Sequence, residues 1–317
     1  MDEFEIIRRY FVRASSDSDI RIPIGDDGAV LQPSPDHDLV SVVDTLVSGV
    51  HFPESLEPAD VGYRSVVVNL SDVAAMGARP RWMTLALTLR EASHAWLERF
   101  AQGLFEAADE YAVTLVGGDT TRGSETVISV QILGDVRPGS ALTRSGAAPG
   151  DGIFVTGCVG DAAAGLSILQ SGAADSEDVD YLVRRFARPS ARVAVGAAIA
   201  EFAHAAIDVS DGLYGDLEKM LLASGVAGSL ELSKLPLSPQ LTRLVKRDDA
   251  LQFALSGGED YELCFTADPD AAAIEELAEH LGVAISRIGG VNEGNGITCL
   301  SDGRPFDYSH PGYRHFH

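Results

Sequence analysis

Acidic residues in this sequence recur where an apolar run ends or a glycine turn begins. The motifs are Gly25-Asp-Asp-Gly28, Val43-Asp44, Ser71-Asp72, Gly117-Gly-Asp119, Ile207-Asp208, Ser210-Asp211 and Gly257-Gly-Glu-Asp260. Proteins of the α/β class place ligands at strand ends and glycine turns, because the backbone there can approach a charged group closely. The pattern therefore predicts a site for cations and for the anions that cations hold.

Three of these motifs also have purely structural interpretations. Asp27-Gly28 fits a tight turn. Ser210-Asp211 ahead of Gly212 fits a helix N-cap. Gly117-Gly118 follows a run of apolar residues and is compatible with a simple strand exit.

Asp72 is harder to explain structurally. Ser65, Asn69 and Asp72 stand at i, i+4 and i+7, and so form one polar stripe on a helix that is otherwise apolar. An unpaired carboxylate on a buried helix is costly, so it should meet a cation. Because the chain has 24 Lys and Arg against 47 Asp and Glu, a metal ion is the simplest partner.

The ligand types indicate which metal and which anion. Carboxylates and carbonyls suit Mg²⁺ or Ca²⁺, whereas zinc requires His or Cys at close spacing. No HExxH motif occurs, and Asp17-Ser-Asp19 does not open an EF-hand, because Arg21 occupies the third ligand position. Sites of the Mg²⁺ type usually hold phosphates, which points to ATP. A Walker-type loop is excluded because none of Lys219, Lys234 and Lys246 follows a glycine.

Composition limits the class of partner and the compartment. The formal net charge of −23 argues against nucleic acid and anionic membranes as partners. Cys158, Cys264 and Cys299 form no CxxC pair, which predicts reduced, buried thiols. The acidic N-terminus is unlike a signal peptide, and the most apolar stretch, residues 193–209, contains charged residues. We expect a soluble cytoplasmic protein.

Alternating helical and strand patterns must position these residues, and they predict an α/β or α+β fold. The predicted helices cover residues 3–12, 58–77, 96–111, 162–169, 191–202, 214–222 and 271–281. The predicted strands cover residues 39–43, 83–89, 113–116, 126–133, 153–156, 206–209, 262–266 and 285–288. The turn-rich segment 144–152 predicts a boundary between domains 1–148 and 149–317.

Eight strings of residues, in order, carry a resemblance to a known family. They are Ile24-Gly-Asp-Asp-Gly-Ala-Val30, Val43-Asp-Thr-Leu-Val47 with Gly49-Val-His-Phe52, Asn69-Leu-Ser-Asp-Val-Ala-Ala-Met-Gly77, Val116-Gly-Gly-Asp-Thr-Thr-Arg-Gly123, Leu142-Thr-Arg-Ser-Gly146, Ile207-Asp-Val-Ser-Asp-Gly-Leu213, Leu255-Ser-Gly-Gly-Glu-Asp-Tyr-Glu-Leu263 and Gly312-Tyr-Arg-His-Phe316. Together they resemble the bacterial thiamine-monophosphate kinase family, within the aminoimidazole-ribonucleotide-synthetase-like superfamily.

The resemblance implies a two-domain architecture, with an N-terminal sheet domain that binds ATP and Mg²⁺ and pairs in a homodimer. A larger α/β domain follows and completes the substrate and nucleotide cleft. The implied activity is transfer of the γ-phosphoryl group of ATP to thiamine monophosphate, with several Mg²⁺ ions.

The resemblance also implies roles for individual residues. The implied metal ligands are Asp27, Val43, Asp44, Asp72, Asp119, Asp208 and Asp211. The implied ATP contacts are Gly118, Asp119, Arg144 and Ser210, and the implied contacts to thiamine monophosphate are His51, Glu259 and Tyr313. The sequence departs from many relatives before Asp44, where Val42 and Val43 stand in place of a hydroxyl residue. If a backbone carbonyl holds the family's ion there, Val43 still serves as a ligand; otherwise that ion is bound more weakly in this protein.

The reaction itself needs no general base. The attacking oxygen of a phosphate monoester is already an anion near neutral pH, so catalysis consists of aligning two anions and neutralising charge. His51 is then a hydrogen-bond donor to the substrate, and Tyr313 stacks on the thiamine rings.

Two other functions stay open. One is an ATP-dependent synthetase of the same superfamily, although a selenophosphate synthetase would want a reactive Cys near the N-terminus and the first here is Cys158. The other is a non-catalytic acidic protein that binds divalent ions. That alternative predicts scattered surface acids, and the helical stripe argues against it.

Overall fold

The computed structural model describes residues 1–13, 17–172, 174, 176–270, 272–301, 303–306 and 308. The chain divides into two compact units. Unit 1 comprises Met1–Val73 and Ala78–Gly139, and unit 2 comprises Ala74–Gly77 and Ser140–His317. Mixed sheets with helices in each unit confirm the predicted two-domain α/β class.

Unit 1 is built on a four-stranded sheet. Its elements are α1 (Glu3–Ile6) continuing as a π-helical turn (Ile7–Phe11), β1 (Ile20–Ile22), β2 (Val30–Leu31), β3 (Asp38–Val47), α2 (Pro58–Ala75), β4 (Arg79–Leu89), α3 (His94–Glu110), β5 (Thr114–Arg122) and β6 (Val127–Val136). The strand order is β3-β6-β4-β5, with β4 and β5 parallel and the other pairs antiparallel. A separate ribbon pairs β1 with β2.

The two faces of this sheet differ. Ile128, Val130 and Ile132 of β6 are buried, while the residues between them are only half-buried. Along β3, Leu39 and Val43 lie on the outward face and are about half exposed. This alternation is the mark of a sheet covered on one side, so the outward face is available to a partner.

Unit 2 is built on a seven-stranded sheet. Its elements are β7 (Gly152–Thr156), α4 (Asp161–Ser171), α5 (Glu177–Ala187), α6 (Val193–Ile199), β8 (Ala205–Asp208), α7 (Leu213–Ser224), β9 (Ala227–Glu231), a 3₁₀ turn (Leu232–Lys234), α8 (Pro239–Leu244), α9 (Arg247–Ser256), β10 (Leu263–Ala267), α10 (Ala272–Leu281), β11 (Ile285–Asn292), β12 (Gly296–Ser301) and β13 (Arg304–Phe306). The strand order is β13-β12-β9-β11-β7-β10-β8, and only β12 and β9 are parallel among these pairs.

The centre of the second sheet explains its continuous apolar strands. Every residue of β7 and β10 is buried. Cys264 and Cys299 lie in the core beside them as free thiols, as predicted, whereas Cys158 is only half-buried. Burial raises the pKa of Cys299 to about 11, so this thiol stays protonated and behaves as a small apolar group.

Each predicted helix and strand occurs, with shifted ends, but other elements were missed. Helices α5, α8 and α9 and strands β1, β2, β9, β12 and β13 were not predicted. Most of the missed strands are short or exposed, so they lack the apolar alternation that marks a strand. The strand predicted for residues 113–116 is longer than predicted. It does not end at Val116 but continues as β5 through Gly117 and Gly118 to Arg122.

Candidate functional site

A cavity of about 390 Å³ in unit 1 joins two of the acidic motifs. The loop between β1 and β2 contributes Gly25 to Gly28, and β5 contributes Gly117 to Thr120. Apolar side chains of the N-terminal helix, Phe4, Ile7 and Phe11, line the same cavity. Asp27 and Asp119, which are separated widely in the sequence, therefore share one cavity.

A β-bulge shapes the wall of this cavity. On β4, Met83 pairs with Leu115 but Thr84 pairs with Gly117, so Val116 has no counterpart. Gly118 has φ +149°, and a Cβ there would lie 1.9 Å from the Leu85 carbonyl oxygen. No residue with a side chain fits this position. The glycine pair is therefore not a strand exit: it lets the backbone of β5 lie against β4 while Asp119 stays exposed at the cavity.

The β1–β2 ribbon that carries the Asp27 loop is anchored by Arg81. The Arg81 guanidinium donates to Asp135 at 2.7 Å, to Ser34 at 2.8 Å and to Asp19 at 2.5 Å. Burial alone would raise the pKa of Asp135, but the hydrogen bonds from Ser34 and Arg81 outweigh it and lower that pKa. Asp19 and Ser34 lie on either side of the ribbon, so one cation holds both ends of the loop-bearing segment.

The polar side chains of Ser65 and Asn69 on α2 are hydrogen-bonded to backbone groups. Asn69, which is fully buried, accepts the Asp44 N–H at 2.8 Å and donates to the Ser65 carbonyl at 3.0 Å. Ser65 donates its hydroxyl to the Gly62 carbonyl at 2.8 Å. Asn69 thus ties Asp44 on β3 to the helix that carries Asp72, whose side chain is half-buried. Val43, one residue earlier, pairs with Gln131 in the ladder and exposes its side chain.

His51 has a defined tautomer. Its Nδ1 accepts the Val47 N–H at 3.0 Å, and its backbone N–H donates to the Val47 carbonyl at 2.9 Å. An accepting Nδ1 carries no proton, so the proton of the neutral ring is on Nε2. This half-buried imidazole can donate from Nε2 but does not offer Nδ1 as a base.

In unit 2, Ser210 and Asp211 follow β8 in a loop that is held by a buried carboxylate. Asp216 Oδ2 accepts the N–H groups of both Ser210 and Asp211 at 2.9 Å. Lys219 donates to Asp211 at 2.6 Å and to Asp216 at 2.8 Å. Burial raises the pKa of Asp216 despite this ammonium group. The N-cap interpretation was wrong, because Gly212 occupies the N-cap of α7.

The loop from Gly257 to Asp260 packs on the same segment. Glu259 donates its N–H to the Ser210 carbonyl at 2.8 Å, and a Cβ at Gly258 would lie 2.4 Å from that carbonyl oxygen. Asp208, at the end of β8, is buried opposite Leu263. Unit 2 therefore brings Asp208, Ser210, Asp211 and Glu259 to one place.

One predicted residue, Arg144, lies elsewhere. The Arg144 carbonyl accepts the hydroxyl of Ser224, the last residue of α7, whereas Ser210 and Asp211 precede the first. A helix of this length spans roughly 18 Å, so the structure does not place Arg144 beside Ser210. Tyr313 lies outside the described residues.

A buried charge cluster supports the Glu259 loop from within. It consists of Asp161, Arg185, Arg192, Asp260 and Glu262. Arg192 forms a two-pronged pair with Glu262 at 2.6 Å, and Arg185 contacts the same carboxylate at 2.9 Å. Asp260 accepts the N–H groups of Gly160 and Ala162 at the start of α4, at 2.6 and 3.1 Å. Burial raises the pKa of Asp260 to about 7, despite Arg185 and these two bonds.

The predicted metal-ligating side chains are aspartate carboxylates, and such oxygen ligands suit a hard divalent cation. Within the described ranges, no three His, Cys, Asp or Glu side chains are grouped closely enough to hold a metal ion. Magnesium does not require such a group, because it is commonly held by one or two carboxylates with waters and the substrate's phosphates. Asp27, Asp44, Asp72 and Asp119 offer carboxylates of this kind in unit 1, and Asp208 and Asp211 offer them in unit 2.

Sequence reasoning missed several residues that hold the site together. Asp216, Lys219 and Tyr261 were not singled out, and Asn69 was noted only as part of a stripe. Lys219 carried a usable signal, since it is one of three lysines and stands three residues after Asp216 on a helix.

No helix in the described part of the chain is long and apolar enough to span a bilayer.

Comparison with known proteins places this arrangement in a family. The AIR synthase related protein N-terminal domain matches residues 25–136, and the corresponding C-terminal domain matches residues 148–301. The chain is 47% identical to a thiamine-monophosphate kinase of Escherichia coli K12, over 99% of this chain and 98% of the relative.

Solved structures agree. The crystal structure of thiamine-monophosphate kinase from Stenotrophomonas maltophilia superposes with a TM-score of 0.86 at 47% identity, covering 91% of this chain and 93% of the other. A structure described as AaThiL complexed with AMPPCP and TMP has a TM-score of 0.80 at 34% identity, covering 92% of each chain.

Proposed function

Because this chain belongs to the AIR synthase related family, and within it to the thiamine-monophosphate kinases, we propose that it transfers the γ-phosphoryl group of ATP to thiamine monophosphate. The products are thiamine diphosphate and ADP. It is a phosphotransferase with a phosphate group as acceptor.

One observation of geometry carries the proposal. The bulge at Val116 and the crowded Gly118 hold a bare stretch of backbone and the Asp119 carboxylate at the wall of the cavity that Asp27 also lines. Backbone without side chains can approach phosphate oxygens closely, and the two carboxylates suit the cations that accompany them. A simple acidic binding protein would not need this construction.

We assign the residues by unit. In unit 1, Asp27, Asp44, Asp72 and Asp119, with the carbonyl of Val43, hold Mg²⁺. Gly118 and Asp119 contact ATP, and His51 contacts thiamine monophosphate. In unit 2, Asp208 and Asp211 hold Mg²⁺, Ser210 contacts ATP, and Glu259 and Tyr313 contact thiamine monophosphate. Arg144, whose carbonyl lies at the opposite end of α7 from Ser210, contacts a different part of ATP. Asp211 is ion-paired with Lys219, so binding Mg²⁺ there requires that ammonium group to move or to share the carboxylate.

These carboxylates would hold Mg²⁺, which when bound would supply positive charge to offset the negative charge that develops on transfer. The protein's own residues bind the two substrates, orient them and donate hydrogen bonds to them. His51 Nε2–H donates to the substrate phosphate while Val47 fixes the ring through Nδ1. The nucleophile is already ionised, so no residue is needed to remove a proton, and transfer is direct and in line.

We also propose that the protein is a cytoplasmic homodimer. The support for a dimer is the outward face of the four-stranded sheet, where Leu39 and Val43 expose large apolar side chains. Size-exclusion chromatography with light scattering tests the dimer. The wild type should have the mass of two chains, and Val43→Lys should have the mass of one. A wild-type mass of one chain would refute the dimer. The cytoplasmic location rests on the reduced cysteines, and cell fractionation tests it.

The assay for the activity is direct. Purified protein with Mg²⁺ and ATP should convert thiamine monophosphate to thiamine diphosphate, with one ADP formed per product, as followed by chromatography. Asp72→Asn should lose most of this turnover while its circular dichroism spectrum stays unchanged. Asp178→Asn is the matched control, because Asp178 pairs with Arg243 away from the assigned residues, and it should keep full turnover. Formation of ADP only with some other acceptor would overturn the assignment.

A further inference from the structure

The loop that presents Glu259 is held in an unfavourable backbone conformation. Glu259 and Tyr261 have φ of +67° and +52°, in the left-handed region that side chains other than glycine rarely adopt. Two such residues so close together are uncommon, and they persist only where surrounding contacts impose them. The conformation of this loop is therefore determined by what holds it.

Those contacts lie on both sides of Asp260. Tyr261 donates its N–H to the Val209 carbonyl at 2.9 Å, and Glu259 donates its own to Ser210 at 2.8 Å. Between them, Asp260 points inward to the start of α4. The backbone is thus clamped, which turns the side chains of Glu259 and Tyr261 to the same side.

One hydrogen bond joins the two side chains. The Tyr261 hydroxyl donates to Glu259 Oε2 at 2.8 Å. Tyr261 is buried, with 7% of its surface exposed, whereas Glu259 is only half-buried. A buried ring has one orientation, so its hydroxyl supplies a fixed point against which a more mobile carboxylate is held.

We propose that Tyr261 is a positioning residue that orients the Glu259 carboxylate toward the thiamine half of the substrate and so contributes to substrate selection. This inference rests on the proposed function. A carboxylate repels the phosphate of thiamine monophosphate, but it complements the cationic thiazolium ring and can accept from the pyrimidine amino group. The Tyr261 hydroxyl holds the Glu259 carboxylate in the position that both interactions need.

Tyr261→Phe removes this hydroxyl alone. The KM for thiamine monophosphate should rise about tenfold, the size of one hydrogen bond to a charged group. The KM for ATP and kcat should change by less than about twofold. The matched control is Tyr63→Phe, which removes another hydroxyl that donates to a glutamate carboxylate, that of Glu110 in unit 1. Tyr63→Phe should leave both KM values unchanged.

A double-mutant cycle separates positioning from a structural role. If Tyr261 acts through Glu259, the KM of the double variant E259Q/Y261F should equal that of E259Q alone. Additive effects, or an unchanged KM in Tyr261→Phe beside an active wild type, would overturn the inference and leave the proposed function intact. A wild-type protein without turnover on thiamine monophosphate would overturn both.

Discussion

Replacing Asp260 by Asn should change how the stability of the protein depends on pH. Asp260 is fully buried in the cluster of Asp161, Arg185, Arg192 and Glu262. When all five are ionised, the cluster holds two positive and three negative charges, which leaves one negative charge in excess. One proton would neutralise that excess. Burial raises the pKa of both Asp161 and Asp260, that of Asp260 to about 7, and Asp260 is the carboxyl group that we expect to hold the proton.

The sign and size of the effect follow from linkage. The unfolded chain releases this proton near pH 4, whereas the folded protein keeps it until about pH 7. The stabilisation from the bound proton is therefore fully present below about pH 4 and is lost as the pH rises through 7. Each pH unit between the two pKa values removes about 1.4 kcal/mol, or about 4 kcal/mol over the whole interval.

Urea unfolding followed by circular dichroism at pH 5, 6, 7 and 8 measures this slope. The amide that replaces the carboxyl group cannot titrate, so the stability of the wild type relative to Asp260→Asn should fall by about 1.4 kcal/mol per pH unit from pH 5 to 7 and then level off. The Asn amide pairs less well with the N–H groups of Gly160 and Ala162, because one of its two ends is itself a donor. The resulting loss of stability does not depend on pH. In Asp178→Asn the difference from wild type should be flat, since hydrogen bonding from Arg243 lowers the pKa of Asp178. Parallel curves for wild type and Asp260→Asn would refute the reasoning.

Four further predictions test the site. Glu262→Gln should destabilise the protein by about 3–5 kcal/mol in urea melts, since it leaves two largely buried guanidinium groups without the carboxylate they share; a loss below about 1 kcal/mol would contradict this. Asn69→Leu removes the acceptor of the Asp44 N–H and should raise the Mg²⁺ concentration for half-maximal rate about tenfold, and an unchanged titration would assign Asn69 to packing alone. Gly118→Ala puts a Cβ 1.9 Å from the Leu85 carbonyl and should raise the KM for ATP at least about a hundredfold, a result that wild-type ATP kinetics would exclude. Incubation with γ-labelled ATP alone should leave the protein unlabelled, because transfer is direct, and a stable labelled band would show a covalent intermediate.

Local patterns in the sequence were sufficient for the main elements. The apolar runs of β7 and β10 read as strands because both of their faces are buried, and α2 reads as a helix because its polar residues recur at helical spacing. The elements that were missed lack such a period. Strands β12 and β13 are largely exposed and pair at the edge of the sheet, so their residues do not show the alternation of apolar and polar types that marks a half-buried strand.

Contacts between distant segments were not predictable in this way. Gly117-Gly118 resembles the end of a strand when only its neighbours in the chain are considered. Its role beside the bulge at Val116 depends on β4, some thirty residues earlier, because a side chain at Gly118 would clash with Leu85. Similarly, the sequence does not show that Tyr261 contacts Glu259. That hydrogen bond depends on the left-handed backbone conformation of both residues, which turns their side chains toward each other.

The sequence by itself determined the chemistry of this protein: carboxylates and glycines at strand ends, too few cations to pair with them, and ordered motifs that identify the family. Those properties are local, because residue type and spacing decide which ligands a segment can offer. Only the tertiary structure decided which acids face ligands and which are internal supports. Asp216, Asp260 and Asp119 are the same residue type in the sequence. Asp216 and Asp260 are buried and accept N–H groups of other segments of the chain, whereas Asp119 is exposed at a cavity. Burial and partners across the fold make that distinction, and no run of neighbouring residues records it.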